Sequence, residues 1–244
     1  MWNGKKVSVV FSTYREKASI RVAIEDFFAT RLVDEIVVVN NNAEPGTDEE
    51  VRKTKARLVY EKRQGYGWGY QTGIREATGD YIILSEPDGT YAGRDVMKFL
   101  VYGQEFSVVF GSRTNQSTIL EGAAMGFLRK FANVMVAKVA EVLFNTNALT
   151  EVGCTYKLFH REVLRELEPH WQTRDALFAT ELLLLVVSRR IKFVEIPIAF
   201  NERVGESSLT RRWYHLVRWG MKIFLFIVTF WARWVFARKK PRPV

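Results

Sequence analysis

The chain has 244 residues, is 48% hydrophobic and 26% charged, and carries a net charge of +9. This composition fits one globular domain with a core of ordinary size and excludes a disordered chain. A single cysteine, Cys154, excludes an intrachain disulfide, and His160, His170 and His215 stand at no zinc-ligand spacing from it.

Residues 1–6 have no secretion-signal pattern and are expected to lead straight into a strand at 7–11. Apolar spacing then predicts a helix over 18–29, a strand at 35–39, a short polar helix over 48–54 and a strand at 56–61. A helix over 67–77 begins among glycines, and 80–84 is a strand whose apolar run 81–84 is buried. Strands alternating with helices at this spacing imply a mostly parallel sheet with helices on both faces, an α/β fold. Further strands are expected at 107–111, 156–160 and 192–198, with helices over 121–144, 161–168 and 175–187 and a loop at 149–155.

Ligands of such sheets sit beyond the carboxyl ends of the strands. Three of those ends are polar here: Ser12-Thr13-Tyr14-Arg15-Glu16, Asn40-Asn41-Asn42 and Ser85-Glu86-Pro87-Asp88. Loop chemistry alone makes strand ends polar, but three on one edge build one cleft. The glycines of Arg63-Gln64-Gly65-Tyr66-Gly67-Trp68-Gly69 let backbone approach a ligand, although such connections are common. Tyr66 and Trp68 read as packing residues. Glu86 and Asp88, one residue apart at a strand end, suit a divalent cation that bridges phosphates. Mg²⁺ and Mn²⁺ take hard oxygen ligands and leave room for substrate oxygens. An acidic pair alone is more often a solvated turn.

In this order the motifs resemble family-2 glycosyltransferases of the GT-A fold, and among them the synthases of polyprenyl-phosphate sugars. The resemblance runs from about residue 7 to residue 209. The first strand end stands where the family has Pro-Thr-Tyr-Asn-Glu, which implies that Ser12, Tyr14 and Glu16 hold the nucleotide base and ribose. Val39-Asn40-Asn41 stands where Val-Asp-Asp is usual. An amide that both donates and accepts replaces a carboxylate there, so the base, uridine or guanosine, stays open. Asn40, Asn42, Gly65 and Asp88 complete the implied nucleotide site. Glu86-Pro87-Asp88-Gly89 matches the Asp-x-Asp motif with Glu for the first Asp, implying Mg²⁺ or Mn²⁺ on Glu86 and Asp88. Phe110-Gly111-Ser112-Arg113 and residues 149–159 match later family segments. Arg203-Val204-Gly205-Glu206-Ser207-Ser208-Leu209 matches a loop usually ending Ser-Lys-Leu, with Ser208 for the Lys. Glu181 stands where the family has an acidic residue facing the acceptor.

The implied reaction moves a hexose from a nucleotide-diphosphate sugar to an acceptor, with inversion, and Asp88, Glu181 and Arg203 are the implied catalytic residues. A phosphate acceptor is largely an anion at neutral pH and needs cations to dock it. Arg129, Lys157 and Arg203, with Ser207, are the candidates. A glycan or glycolipid hydroxyl needs a general base instead, for which Glu181 is the candidate. A third reading, a non-catalytic nucleotide-sugar or membrane-binding scaffold, stays open on the Asn40-Asn41 and Glu86 departures.

Nine of the 36 Lys and Arg, but none of the 27 acids, lie after residue 209, so the net charge belongs to the tail. Residues 210–237 read as one helix. At its period Arg211, His215, Arg218, Lys222, Thr229 and Arg233 share one stripe of roughly 60°, and most of the rest is apolar, with four Trp. The longest uncharged run, 223–232, has ten residues, whereas a spanning helix needs about 20. The tail therefore reads as interfacial, with aromatics in lipid and basic residues at anionic headgroups. Packing against the body or in a homo-oligomer is the alternative. Nucleic acid fits the aromatic density less well than lipid. The expected organisation is a GT-A domain over 1–209 and a tail over 210–244, peripheral or monotopic on the cytoplasmic face of a membrane.

Overall fold

The computed structural model describes residues 1–119, 126–205 and 213–239. Seven strands form one sheet: β1 (Val7–Thr13), β2 (Glu35–Asn40), β3 (Arg57–Tyr60), β4 (Tyr81–Ser85), β5 (Val108–Ser112), β6 (Lys157–His160) and β7 (Phe193–Pro197). Their order is β3-β2-β1-β4-β6-β5-β7. Only β6 is reversed, pairing antiparallel with β4 and β5. The mostly parallel α/β sheet read from the sequence is present. The reversed strand has a consequence for the site. Leu84 and Phe110, near the ends of their strands, pair with Lys157 at the start of β6. The loop leading into β6 therefore lies on the same edge as the polar strand ends.

Side-chain alternation divides the core into two layers. Val7, Val9 and Phe11 face α1 (Lys17–Ala29), α2 (Thr47–Arg52) and α4 (Val96–Tyr102) through Ile20, Ile24, Val51 and Phe99. Val10 on the other face joins α3 (Tyr66–Glu76), α5 (Phe127–Phe144), α6 (Arg161–Leu167) and α7 (Phe178–Ser188). The seven-residue α4 is absent from the sequence reading. Two helix starts also differ from expectation. Helix α5 begins at Phe127 rather than 121, with 120–125 outside the described residues. Helix α7 begins at Phe178 because Leu177 N–H donates to Asp175 Oδ1 (3.0 Å) in a turn that precedes it.

The tail forms α8 (Trp213–Lys239). One side packs on the body: Ile223 and Ile227 join the core, and Phe144 of α5 meets Phe230 and Trp234 at ring distances of 6.1 and 5.5 Å. Arg218, Lys222, Thr229 and Arg233 are exposed. So are the apolar Val217, Met221, Leu225 and Phe236. The stretch Val217–Phe236, 20 residues, is long and apolar enough to cross a membrane by length and composition.

Candidate active site

The C-terminal edge of the sheet holds a cleft of about 290 Å³. Its walls include Ser12 near the end of β1, Tyr14 and Glu16 after it, Asn41 after β2, Gly65 and Tyr66 at the start of α3, Glu86 after β4, and Asp175 and Arg203. A more open hollow of about 450 Å³ lies behind the Gly89 turn, between α1 and residues 201–204, and holds no paired carboxylates.

The acidic corner is at the end of β4. Asp88 is buried, and its Oδ1 accepts from Thr90 N–H (3.0 Å) and the Thr90 hydroxyl (2.5 Å). Asp88 Oδ2 is buried without a hydrogen bond; Arg203 Nη1 faces it at 2.9 Å, an ionic contact without hydrogen-bond alignment. Glu86 is partly exposed in the cleft and accepts from the Thr155 hydroxyl (2.5 Å) on the loop before β6, and Thr155 also contacts the Tyr66 hydroxyl. Burial of the Glu86 carboxyl, and then the neighbouring Asp88 charge, push its pKa up to about 7. Two carboxylates held together with one orphaned buried oxygen fit a divalent oxygen-seeking cation, with substrate oxygens completing the shell. Among the described residues no group of three His, Cys, Asp or Glu forms a closed protein cage.

The remaining walls are held by polar groups that are already spent. The Asn41 amide donates to the carbonyls of Glu61 (3.0 Å) and Arg63 (2.8 Å) and accepts from Gly65 N–H (2.8 Å). It therefore fixes the 61–65 segment that forms the cleft floor. Arg63 forks onto Glu61, whose pKa falls to about 2 because of that hydrogen bond, and lies 3.6 Å from the Trp68 ring centre. Arg174 approaches the same ring at 4.4 Å. The backbone of Arg174 passes so close to α3 that a Cβ on Gly67 would stand 2.8 Å from its carbonyl carbon. Glycine at 67 serves this close approach.

Several expected site residues lie elsewhere. Asn40 donates to Asp48 (2.6 Å) and accepts from Ala43 N–H, and Asn42 donates to the Lys62 carbonyl (3.2 Å), so both brace loops away from the cleft. Asn41 takes their place, because the residue after β2 turns inward. Lys157 cannot dock an acceptor phosphate: it is 1% exposed, on the face of β6 that packs with Phe110, and its ammonium donates to the Cys154 carbonyl. Burial lowers its pKa to about 8. Glu181 is also 1% exposed. It accepts from Gln172 N–H (2.8 Å), Thr173 N–H (3.0 Å) and the Thr173 hydroxyl (2.6 Å). Its carboxylate holds a loop and does not face the cleft, which removes it as a general base. The Arg129 side chain and Ser207 lie outside the described residues. Glu16 lines the cleft, but its Oε2 is engaged by the amides of Tyr14 and Arg15. Asp175 and Ala176, expected in a helix, instead lie in the turn before α7 and line the cleft, and no spacing in the sequence marks them for it.

Residues 8–168 match the family described as "Glycosyl transferase family 2". The chain belongs to this family and is a nucleotide-sugar-dependent glycosyltransferase. It is 29% identical to a dolichyl-phosphate hexose transferase of Haloferax volcanii, over 83% of this chain and 86% of that one. It is 30% identical to a dolichyl-phosphate beta-glucosyltransferase of Trichomonas vaginalis, over 72% of this chain and 55% of that one. Among solved structures it resembles glucosyl-3-phosphoglycerate synthase of Mycobacterium tuberculosis, in complex with Mn²⁺, UDP and its glucosylated product. The TM-score there is 0.72 at 16% identity, covering 94% of this chain and 81% of the other. At that identity the likeness speaks for the GT-A fold alone.

Proposed function

We propose that this enzyme transfers a hexose, with inversion, from a nucleotide-diphosphate sugar to a polyprenyl phosphate at a membrane surface. The observation that carries the reading is where the cleft meets α8. Asp175 on the cleft rim pairs with Lys222 of α8 at 2.5 Å. The cleft thus opens beside a helix whose exposed side is apolar and basic, as a lipid-linked acceptor requires. The two relatives that act from or on dolichyl phosphate by name support the same acceptor class. The loss of Glu181 as a base is consistent with an acceptor that arrives already anionic.

In this reading Ser12, Tyr14, Asn41 and Gly65 form the nucleotide floor. Asp88, with Glu86, would hold Mg²⁺ or Mn²⁺, which would offset the charge developing on the departing nucleoside diphosphate. Arg203 supplies a cation for phosphate oxygens. The protein lies on the cytoplasmic face, with the exposed Val217, Met221, Leu225 and Phe236 of α8 toward lipid and Trp219, Trp231 and Trp234 packed against the body.

A screen of UDP- and GDP-sugars with polyprenyl phosphate, following nucleoside diphosphate release with and without Mn²⁺, tests the proposal. Release that needs both acceptor and metal is expected. Turnover with a glycan hydroxyl and none with polyprenyl phosphate would overturn it.

A further inference from the structure

Arg203 stands where a cation belongs. Its guanidinium lies 2.9 Å from Asp88 Oδ2 and 3.6 Å from Glu16 Oε1. One positive group thus faces two carboxylates, one after β1 and one after β4. The contact is nevertheless poorly made. Arg203 Nε is buried without a partner, and Asp88 Oδ2 receives no aligned hydrogen bond. A guanidinium normally meets a carboxylate as a two-pronged fork, as Arg63 does on Glu61. The corner is shaped for something more compact.

The segment carrying Arg203 lies directly on the metal-motif turn. Val204 N–H donates to the Asp88 carbonyl (2.9 Å), Asn201 N–H to the Thr90 carbonyl (3.0 Å), and the Asn201 amide to the Gly89 carbonyl (3.2 Å). These backbone contacts hold residues 201–204 beside the corner without involving the Arg203 side chain. The side chain is 32% exposed, so it has room to swing while its backbone stays.

We infer that Arg203 is a place-holder for the divalent ion. In the substrate-free enzyme its guanidinium neutralises Asp88 and Glu16. A divalent ion entering at Asp88 Oδ2 displaces it, and the freed guanidinium turns to the phosphate oxygens in the cleft. Arg203 therefore competes with metal before the nucleotide arrives and assists the anion afterwards. This rests on the metal site proposed above and adds an order to its loading.

The test reads metal binding without turnover. Wild type, Arg203→Ala, Arg203→Lys and Asp88→Asn are titrated with Mn²⁺ in the absence of nucleotide, following the free aquo-ion by electron paramagnetic resonance. Removing a unit charge this close is expected to tighten Mn²⁺ binding about tenfold or more in Arg203→Ala. Arg203→Lys, which keeps the charge, should stay near wild type. With UDP added, the advantage of Arg203→Ala should shrink, because it has lost a cation that favours the nucleotide. Equal Asp88-dependent affinity in wild type and Arg203→Ala would overturn the place-holder and leave the metal site standing. Weaker binding in Arg203→Ala would overturn it too. No Mn²⁺ binding in any variant, with or without UDP, would overturn the place-holder and the metal site together.

Discussion

Glu181→Gln separates two roles that the sequence could not. In the structure the carboxylate is buried and accepts three hydrogen bonds from Gln172 and Thr173, one oxygen serving each residue's amide. Glutamine keeps one acceptor oxygen and turns an NH₂ toward the other amide. At least one charge-assisted hydrogen bond is lost and two donors are brought face to face. Such a loss costs about 1.5–3 kcal/mol, and Glu181 is too buried for solvent to repair it. The disturbed loop also carries the Arg174 carbonyl that accepts from Gly67 N–H (2.9 Å) and the Thr173 carbonyl that accepts from Gln71 (3.0 Å). The cleft wall at Asp175 should therefore loosen with it. Urea unfolding should show a lower midpoint at unchanged slope, equivalent to that energy. Steady-state kinetics should show a raised acceptor KM and a modest fall in kcat. A general base behaves differently: its removal costs about 10²–10⁴ in rate with stability intact. Unchanged unfolding with a kcat loss of that size would refute the loop-holding role.

The other predictions concern metal, pH, packing and lipid. Asp88→Asn should abolish metal-dependent nucleoside diphosphate release while circular dichroism stays native; full activity would remove Asp88 from the site. Glu86 binds its proton up to about pH 7 in the folded chain, against an ordinary value of 4.5. The folded state thus holds the extra proton between those values, and stability should fall as pH rises through that window. The effect is on the order of 2–3 kcal/mol, and Glu86→Gln should flatten the profile measured by urea unfolding between about pH 5 and pH 7. Gly67→Ala sets a Cβ 2.8–3.0 Å from the Arg174 and Thr173 backbone. It should weaken nucleotide binding by isothermal calorimetry more than Gly126→Ala, which meets nothing within 4 Å. Arg218→Gln with Arg233→Gln should reduce co-sedimentation with anionic vesicles, by about 1 kcal/mol per charge, and spare neutral ones. Equal binding to both vesicle types by wild type and variant would refute the lipid role of the basic stripe. Deleting the helix is a poorer test, because Ile223 and Ile227 are part of the core.

What the sequence made legible follows from period. β1, β2 and β4 are runs of buried apolar residues ending in polar ones, and that pattern alone located the edge where the cleft lies. The reversed β6 was not legible as reversed, since four residues, Lys157–His160, carry no directional signal. Its direction depends on which neighbours it pairs with. Yet that reversal brings Thr155 to Glu86 and so completes the acidic corner. Side-chain chemistry was a weaker guide than strand ends for the same reason. Asn40, Asn41 and Asn42 are one residue type in succession, and only the turn after β2 decides which amide faces inward.

Lys157, Glu181 and Arg203 show where motif reasoning reaches its limit. All three carry charges suited to glycosyl transfer between phosphorylated substrates. Their difference lies in whether each charge is satisfied before substrate arrives. The Lys157 ammonium is taken by a backbone carbonyl, and the Glu181 carboxylate by two backbone amides and a hydroxyl. A buried charge already held by fixed partners has little to gain from a ligand and much to lose by leaving them. Arg203 on the cleft wall and the buried Asp88 behind it retain unmet atoms. Unmet buried polarity costs stability in the free protein, and a ligand that supplies the missing partner recovers it on binding. That asymmetry is the reason we propose the Asp88–Arg203 corner, rather than Lys157 or Glu181, as the place where metal and phosphate act.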